Sequence, residues 1–229
     1  MDNKDLGKAF EQSVIGTEIE NISEESLDSV VDVLTDNDFI KEIPIVKYIF
    51  SGYKIYTGIR EKAEIKKILI FLFQLKSITD HERKTLIEKI DDNPDFKKKT
   101  FERVVLIIER LDEVEKAKIT GKLFLNYILK QMDQDTFFRL CFAVEKTFLT
   151  SLKALHELYQ VNFEQRQPAL TWASKIRDPL MNKELSYVGL MKETIESSQR
   201  GDTGFQTRTN FNYRYEISEL GKTLAKYGF

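Results

Sequence analysis

Cysteine, histidine, tryptophan and proline are nearly absent from this chain: one, two, one and four in 229 residues. With Cys141 alone no disulfide can close within the chain, which fits a reducing compartment. His81 and His156 have no second histidine or cysteine at ligand spacing, so no zinc site is expected. His81 reads as a solvated residue in a first helical turn, His156 as a residue late on a long helix, and Cys141 as a small core residue. Few prolines and only ten glycines favour long helices over many-turned β architecture. Long apolar runs are missing too. The best is Ile68–Phe73, far short of the ~20 residues a spanning helix needs. The first residues are acidic and polar, so no secretory signal is expected. A formal charge of −2 gives no concentrated positive field for nucleic acid. Phosphate loop, nucleophile elbow, dinucleotide fingerprint and metalloprotease motifs are all lacking. The expectation is a non-catalytic cytoplasmic protein with no catalytic residues, no cofactor and no metal.

One acidic stretch invites a calcium reading. Asp91, Asn93, Asp95 and Glu102 stand at positions 1, 3, 5 and 12 of a calcium loop, but the sixth position needs glycine and holds Phe96. A helix-capping turn accounts for the same residues.

What is present is a sharp division of charge. Residues 1–42 hold three lysines against twelve carboxylates, and residues 43–78 hold seven Lys and Arg against two glutamates. The 43–78 segment is also rich in aromatic and β-branched residues. Three readings of it stand open. It can be a core helix pair with lysines reaching outward. It can be a docking surface for a protein, including the chain's own acidic residues 1–42. It can be a membrane-surface element with lysines at anionic headgroups. Lys47, Ile49, Phe50, Lys54, Tyr56, Lys66 and Lys67 are its candidate partner or membrane residues. Ile65, Ile68, Leu69, Leu72 and Leu75 form one stripe while Ile70, Phe71 and Phe73 lie off it, which favours burial on two sides.

The remaining periodicity predicts a bundle. Residues 1–24 read as a frayed helix or an acidic flexible arm, and Leu27, Val30, Val31 and Leu34 as a short amphipathic helix. Pro44 suits the first turn of a helix. Thr79-Asp80-His81-Glu82 is a capping box. Phe101, Val104, Val105, Ile108 and Leu111 mark the inner side of a helix beginning near Pro94. Lys118 to Met132 reads as a helix with Leu125, Ile128, Leu129 and Met132 inward. Asp133 or Asp135 caps the next, expected to run unbroken from about Thr136 to Tyr159 and to bury Phe137, Leu140, Val144, Phe148 and Leu155. Short connections favour antiparallel neighbours.

After Tyr159 the pattern changes. A helix closes at Gly189, Met191–Glu196 reads as a strand, and residues 197–210 as a polar loop. Phe211, Tyr213, Tyr215 and Ile217 then alternate with polar residues as in a half-buried strand. Ser218 caps a terminal helix carrying Leu220, Leu224 and Tyr227. Gly-Leu before the hairpin and Tyr-x-Ile-Ser-x-Leu-Gly-Lys after it resemble the wing and last helix of a winged-helix fold. That resemblance implies a DNA or protein contact surface. Lys175, Arg177, Lys192, Arg208 and Arg214 are the candidate nucleic-acid contacts, with Arg200 beside them; Lys175, Arg177 and Lys183 are offset by Asp178 and Glu184. Protein contact is favoured, because phosphate contacts need several unopposed cations.

Ile-Pro-Ile-Val at 43–46, Gly-Lys-Leu-Phe at 121–124, Phe-x-Arg-Leu at 137–140 and the Leu-Gly-Lys ending are similar to a family of uncharacterised bacterial helical proteins with winged-helix-like tails. Such proteins occur in prophage and phage-defence settings, so the resemblance implies a component of antiviral defence. The sequence therefore predicts a mainly α fold: a helical bundle over 25–159 and a small winged-helix-like α+β module over 160–229. The expected function is that of an interaction or effector protein working through a protein partner or self-association. A DNA-binding regulator and a membrane-acting effector are the alternatives, the last allowing for membrane association.

Overall fold

The computed structural model describes residues 4–23, 27, 38–52, 59–88, 94–165, 178–200 and 208–229. Within them the protein is mainly helical, with one two-stranded antiparallel sheet near the C-terminus. The helices are α1 (Lys4–Ile15), α2 (Asp38–Glu42), α3 (Pro44–Gly52), α4 (Ile59–Phe73), α5 (Asp80–Glu88), α6 (Pro94–Arg110), α7 (Val114–Ile128), α8 (Gln134–Lys146), α9 (Leu149–Gln165), α10 (Pro179–Tyr187) and α11 (Glu219–Tyr227). Short 3-10 turns cover Thr17–Asn21 and Gln74–Ser77. Strands β1 (Met191–Arg200) and β2 (Arg208–Ile217) pair with Met191 opposite Ile217 and Arg200 opposite Arg208. The chain divides into two compact units, one ending at Cys141 and the other taking Phe142–Tyr227. The sequence pattern had placed a boundary at 159/160.

The first unit is built on phenylalanine. Phe10 of α1, Phe71 of α4, Phe124 of α7 and Phe101 of α6 form a closed ring of tilted and edge-on contacts, with centroids 5.4–6.2 Å apart. Such geometry is favoured by the ring quadrupoles. Tyr127 and Phe137 extend the cluster and stack on each other at 5.1 Å. Around it α1 packs on α3, α5 and α6, and α4 packs on α6 and α7. The α4–α7 crossing is close because Gly121 lies in it. A Cβ there would sit 2.7 Å from the Phe71 carbonyl oxygen and 2.8 Å from Gln74 Cγ.

Residues 4–23 thus take the helical of the two expected forms, packed into the core and neither frayed nor a flexible arm. Phe10, Val14, Ile19 and Ile22 are buried core residues. The acidic residues occupy the outer side of an amphipathic helix and turn, and the charge count missed the apolar stripe beneath them. Ser13, itself buried, accepts the Ile45 N–H at 2.8 Å and so caps α3 from another helix. Arg83 then fastens the turn that follows α1. Its fully buried guanidinium donates to the carbonyls of Leu75, Ile78 and Gly16 and pairs with Glu20 at 3.0 Å. Lys76 donates to the Glu20 and Ile22 carbonyls.

Several local expectations meet the structure directly. Thr79 and Glu82 exchange the hydrogen bonds of a capping box at 2.9 and 3.3 Å. Asp133 accepts the Thr136 N–H at 2.7 Å and caps α8. The inner face of α7 matches the expected one in part: Ile128 and, just beyond the helix, Met132 are buried as expected, but Leu123, Phe124 and Tyr127 are buried with them while Leu125 and Leu129 are half-exposed. Phe124 belongs to the aromatic ring, so the helix turns that side inward. Val30, Val31 and Leu34 lie outside the described residues.

The second unit holds the end of α8, α9, α10, the hairpin and α11. The expected helix from Thr136 to Tyr159 is two helices, broken at Thr147-Phe148. Phe148 is 70% exposed rather than buried. The break is held by Glu184 of α10, whose carboxylate accepts the Phe148 N–H and the Ser151 hydroxyl, both at 2.6 Å. A carboxylate at a helix start satisfies free N–H groups and meets the positive end of the helix dipole.

Candidate functional site

The turn after α10 sets the geometry of the second unit. Gly189 has φ +79°, a left-handed conformation that favours glycine. Leu190 N–H bonds back to the Leu185 carbonyl and Gly189 N–H to the Ser186 carbonyl, which closes the helix in a Schellman arrangement. Ser218 docks onto the same turn from the far end of the hairpin. Its N–H donates to the Leu190 carbonyl, its hydroxyl donates to the Gly189 carbonyl, and its oxygen accepts the Gly221 N–H. Gly221 lies so close to the Leu190 carbonyl that a Cβ would collide with it. Gly-Leu and Ser-x-Leu-Gly are therefore the two halves of one joint. It fixes the hairpin between α10 and α11.

That joint displays one face of α10 beside one face of the hairpin. Leu180 is 77% exposed and Tyr187 84% exposed, two helical turns apart with Lys183 between them. On the hairpin, Ile195 stands opposite Tyr213, and both are more than half exposed. Lys183 reaches over the Tyr213 ring at 6.0 Å, which joins the helix face to the hairpin face. Each of these four large side chains leaves more than half of its surface in water.

The acids around Lys183 are already engaged. Glu184 is committed to the start of α9. Asp178 caps α10 through the Leu180 N–H at 2.8 Å. Glu193 accepts the Tyr215 hydroxyl at 3.0 Å. Burial and that bond to Glu193 push the Tyr215 phenol up.

Of the candidate nucleic-acid residues, Lys192 and Arg214 lie in the described hairpin. Lys192 stands opposite Glu216 across the hairpin, and Arg214 Nε lies 3.5 Å from the same Glu216 carboxylate. The backbone of Arg208 opens β2. Lys175 and Arg177 fall outside the described residues.

The described residues of the 43–78 candidate surface lie in the first unit. Lys47 is exposed and pairs with Glu42 at 3.0 Å. Phe50 is 42% exposed, while Ile49 and Lys66 are half-exposed. Lys67 is not on a surface at all. It is buried, and its ammonium donates to the Glu109 and Leu111 carbonyls at the end of α6. A cation is stabilised there by the dipole and by the free carbonyls. Lys54 and Tyr56 lie outside the described residues. Ile65, Ile68, Leu69, Phe71, Leu72 and Leu75 are all core. Lys8, Gln12, Lys47, Tyr48 and Ser51 line a shallow groove between α1 and α3.

Of the other singled-out residues, His81 is exposed and lines a groove with Ile78, Thr85, Leu86 and Leu129. His156 stacks on Phe229 at 4.4 Å, with Nδ1 3.1 Å from the Ala225 carbonyl oxygen. Cys141 is buried. Asp91 and Asn93 lie outside the described residues. No three His, Cys, Asp or Glu side chains converge on a common point among the described residues, and no described helix is long and apolar enough to cross a membrane.

Sequence reasoning missed Leu180, Tyr187 and Ile195. Their signal was present: Leu180 and Tyr187 bracket Lys183 on one side of a nine-residue helix whose inward residues are Asn182 and Leu185. Comparison with protein-family models, with curated proteins and with solved structures finds no match to this chain.

Proposed function

We propose that this protein is a non-catalytic interaction or effector protein, and that the α10–hairpin face is its protein-contacting surface. The carrying observation is the exposure of Leu180 and Tyr187 on the helix that enters the hairpin. The order α10, β1, β2, α11 supports a winged-helix-like module. In such a module, α10 and the hairpin hold the contact positions. A groove-entering helix for DNA needs unopposed cations and polar groups at those positions. Here the exposed positions of α10 are Pro179, Leu180, Lys183 and Tyr187, and Glu216 opposes both Lys192 and Arg214. Exposed tyrosine beside aliphatic residues is the composition of a protein interface. The sequence resemblance adds the setting: a bacterial system of defence against phage.

The test is a photo-crosslinking amino acid placed at Tyr187 of the full chain in its host cell, with the exposed Glu113 of the first unit as control position. The expected result is a discrete protein adduct from position 187 that is absent from position 113 and is lost when Ile195→Asp is added. Absence of any protein adduct from 187, or an adduct with nucleic acid instead, refutes the reading.

A further inference from the structure

We infer that the joint between α8 and α9 is a two-state hinge and that Glu184 of α10 is its latch. With the latch withdrawn, residues 134–165 close into one continuous helix, and Phe148 and Leu149 exchange exposure.

The joint stands where the local sequence gives no reason for a break. Residues 134–165 contain neither glycine nor proline, the usual causes of one. α8 ends as the Thr147 N–H bonds the Ala143 carbonyl at 3.1 Å, and α9 opens as the Ser151 and Leu152 N–H groups bond the Phe148 carbonyl. Between them the Phe148 N–H turns to one oxygen of Glu184, and the Ser151 hydroxyl donates to the other, both at 2.6 Å. In a continuous helix that N–H bonds the Val144 carbonyl, four residues back.

Helix register is the second observation. Continued at about 100° per residue, α8 places Phe148 in line with Cys141 and Val144, and Leu149 in line with Phe142 and Lys146. Cys141 and Val144 are buried, whereas Phe142 and Lys146 are exposed. The joint inverts this order: Phe148 is 70% exposed and Leu149 8%. It also leaves the Thr147 hydroxyl buried with no hydrogen-bond partner among the described residues. An exposed phenylalanine and an unpaired buried hydroxyl both weigh against the latched form. Against them stand the packing of Leu149 and two charge-assisted hydrogen bonds. Opposed terms of similar size that meet at one carboxylate make a bistable element. Glu184 belongs to α10, so displacement of α10 is the input and continuity of the long helix is the output.

The test reads thiol accessibility in the full chain with Cys141→Ala, so that each introduced cysteine reports alone. With Glu184 in place, Phe148→Cys should react with a maleimide about tenfold faster than Leu149→Cys. Adding Glu184→Ala should reverse that order, while far-UV circular dichroism shows no loss of helix. Glu184→Gln keeps an acceptor oxygen for the Phe148 N–H and should keep the original order. Amide exchange on Glu184→Ala, with Phe148 and Leu149 unaltered, should find residues 148–152 still protected. Loss of that protection overturns the inference. So does an unchanged order of reactivity, and so does fast reaction at both positions, which is fraying of α9. If Glu184→Ala does not fold, Ser151→Ala removes one of the two bonds. Reactivity should then rise at Leu149→Cys and fall at Phe148→Cys; a rise at both, or no change, overturns the hinge.

Discussion

Replacing Gly121 with alanine sets two effects of opposite sign against each other. In a helix interior alanine is favoured over glycine by about 1 kcal/mol. On propensity alone the variant is therefore stabilised. The structure predicts the reverse. The new methyl would lie 2.7 Å from the Phe71 carbonyl oxygen, 2.8 Å from Gln74 Cγ and 3.1 Å from Phe71 Cα. Two of these three are backbone atoms and cannot swing aside, so α4 and α7 must separate by several tenths of an ångström. Phe71 and Phe124, one on each helix, are adjacent members of the aromatic ring at 5.4 Å, so the separation loosens that ring as well. Overpacking of this kind costs about 1–3 kcal/mol. The net expectation is a loss of up to about 2 kcal/mol, and a fall in Tm of about 2–4 °C for each kcal/mol lost. Urea unfolding followed by circular dichroism gives the magnitude. Amide exchange localises it, with the largest protection losses expected in α4 and α7. Lys118→Ala, on the exposed side of the same helix, should stay within about 0.5 kcal/mol of the parent. A Gly121→Ala protein more stable than the parent would refute the close crossing.

Arg83→Met should cost about 2–4 kcal/mol in urea unfolding, because it strips the carbonyls of Leu75, Ile78 and Gly16 of their donor, whereas Glu20→Gln should cost under about 1 kcal/mol since that carboxylate is half in water. Ser218→Ala should cost about 1–2 kcal/mol, with exchange protection lost at the Gly189–Leu190 turn and the start of α11; protection unchanged there would refute the joint. Burial raises the Asp112 pKa, but the hydrogen bond and charge of Lys116, with the Asp112 and Glu113 amides, outweigh it and hold the carboxyl below the ordinary aspartate range. A folded-state pKa below the unfolded one contributes stability that is complete above the unfolded aspartate pKa and is lost as pH falls through the folded value. Asp112→Asn should therefore flatten the acid limb of the stability–pH curve, and an unchanged limb would count against the pairing.

Much of the first unit could be read from residue spacing. The stripe at Phe101, Val104, Val105, Ile108 and Leu111 is buried throughout, as is that at Ile65, Ile68, Leu69, Leu72 and Leu75. Local chemistry was legible for the same reason: Thr79-x-x-Glu82, Asp133 and Ser218 act within one helical turn of themselves. Errors arose where a distant group decides the outcome. Nothing in the sequence near Thr147-Phe148 breaks a helix; the carboxylate that holds the break comes from Glu184. Nothing near Lys67 marks it as buried; its acceptors are the last carbonyls of α6. Charge counting made residues 4–23 an arm because it weighs every residue equally, while the fold weighs Phe10, Val14, Ile19 and Ile22.

From the sequence alone came most helix positions, the capping residues, the hairpin alternation and the lack of recognisable catalytic motifs, because each depends on residues within a turn or two of one another. Tertiary structure decided which lysines are surface and which are helix caps, why Gly121 and Gly221 are glycine, and where the exposed apolar face lies. Those depend on which backbones approach closely and which side chains are left uncovered. Leu180, Lys183 and Tyr187 became a candidate site only when the Gly189–Ser218 joint set them beside Ile195 and Tyr213.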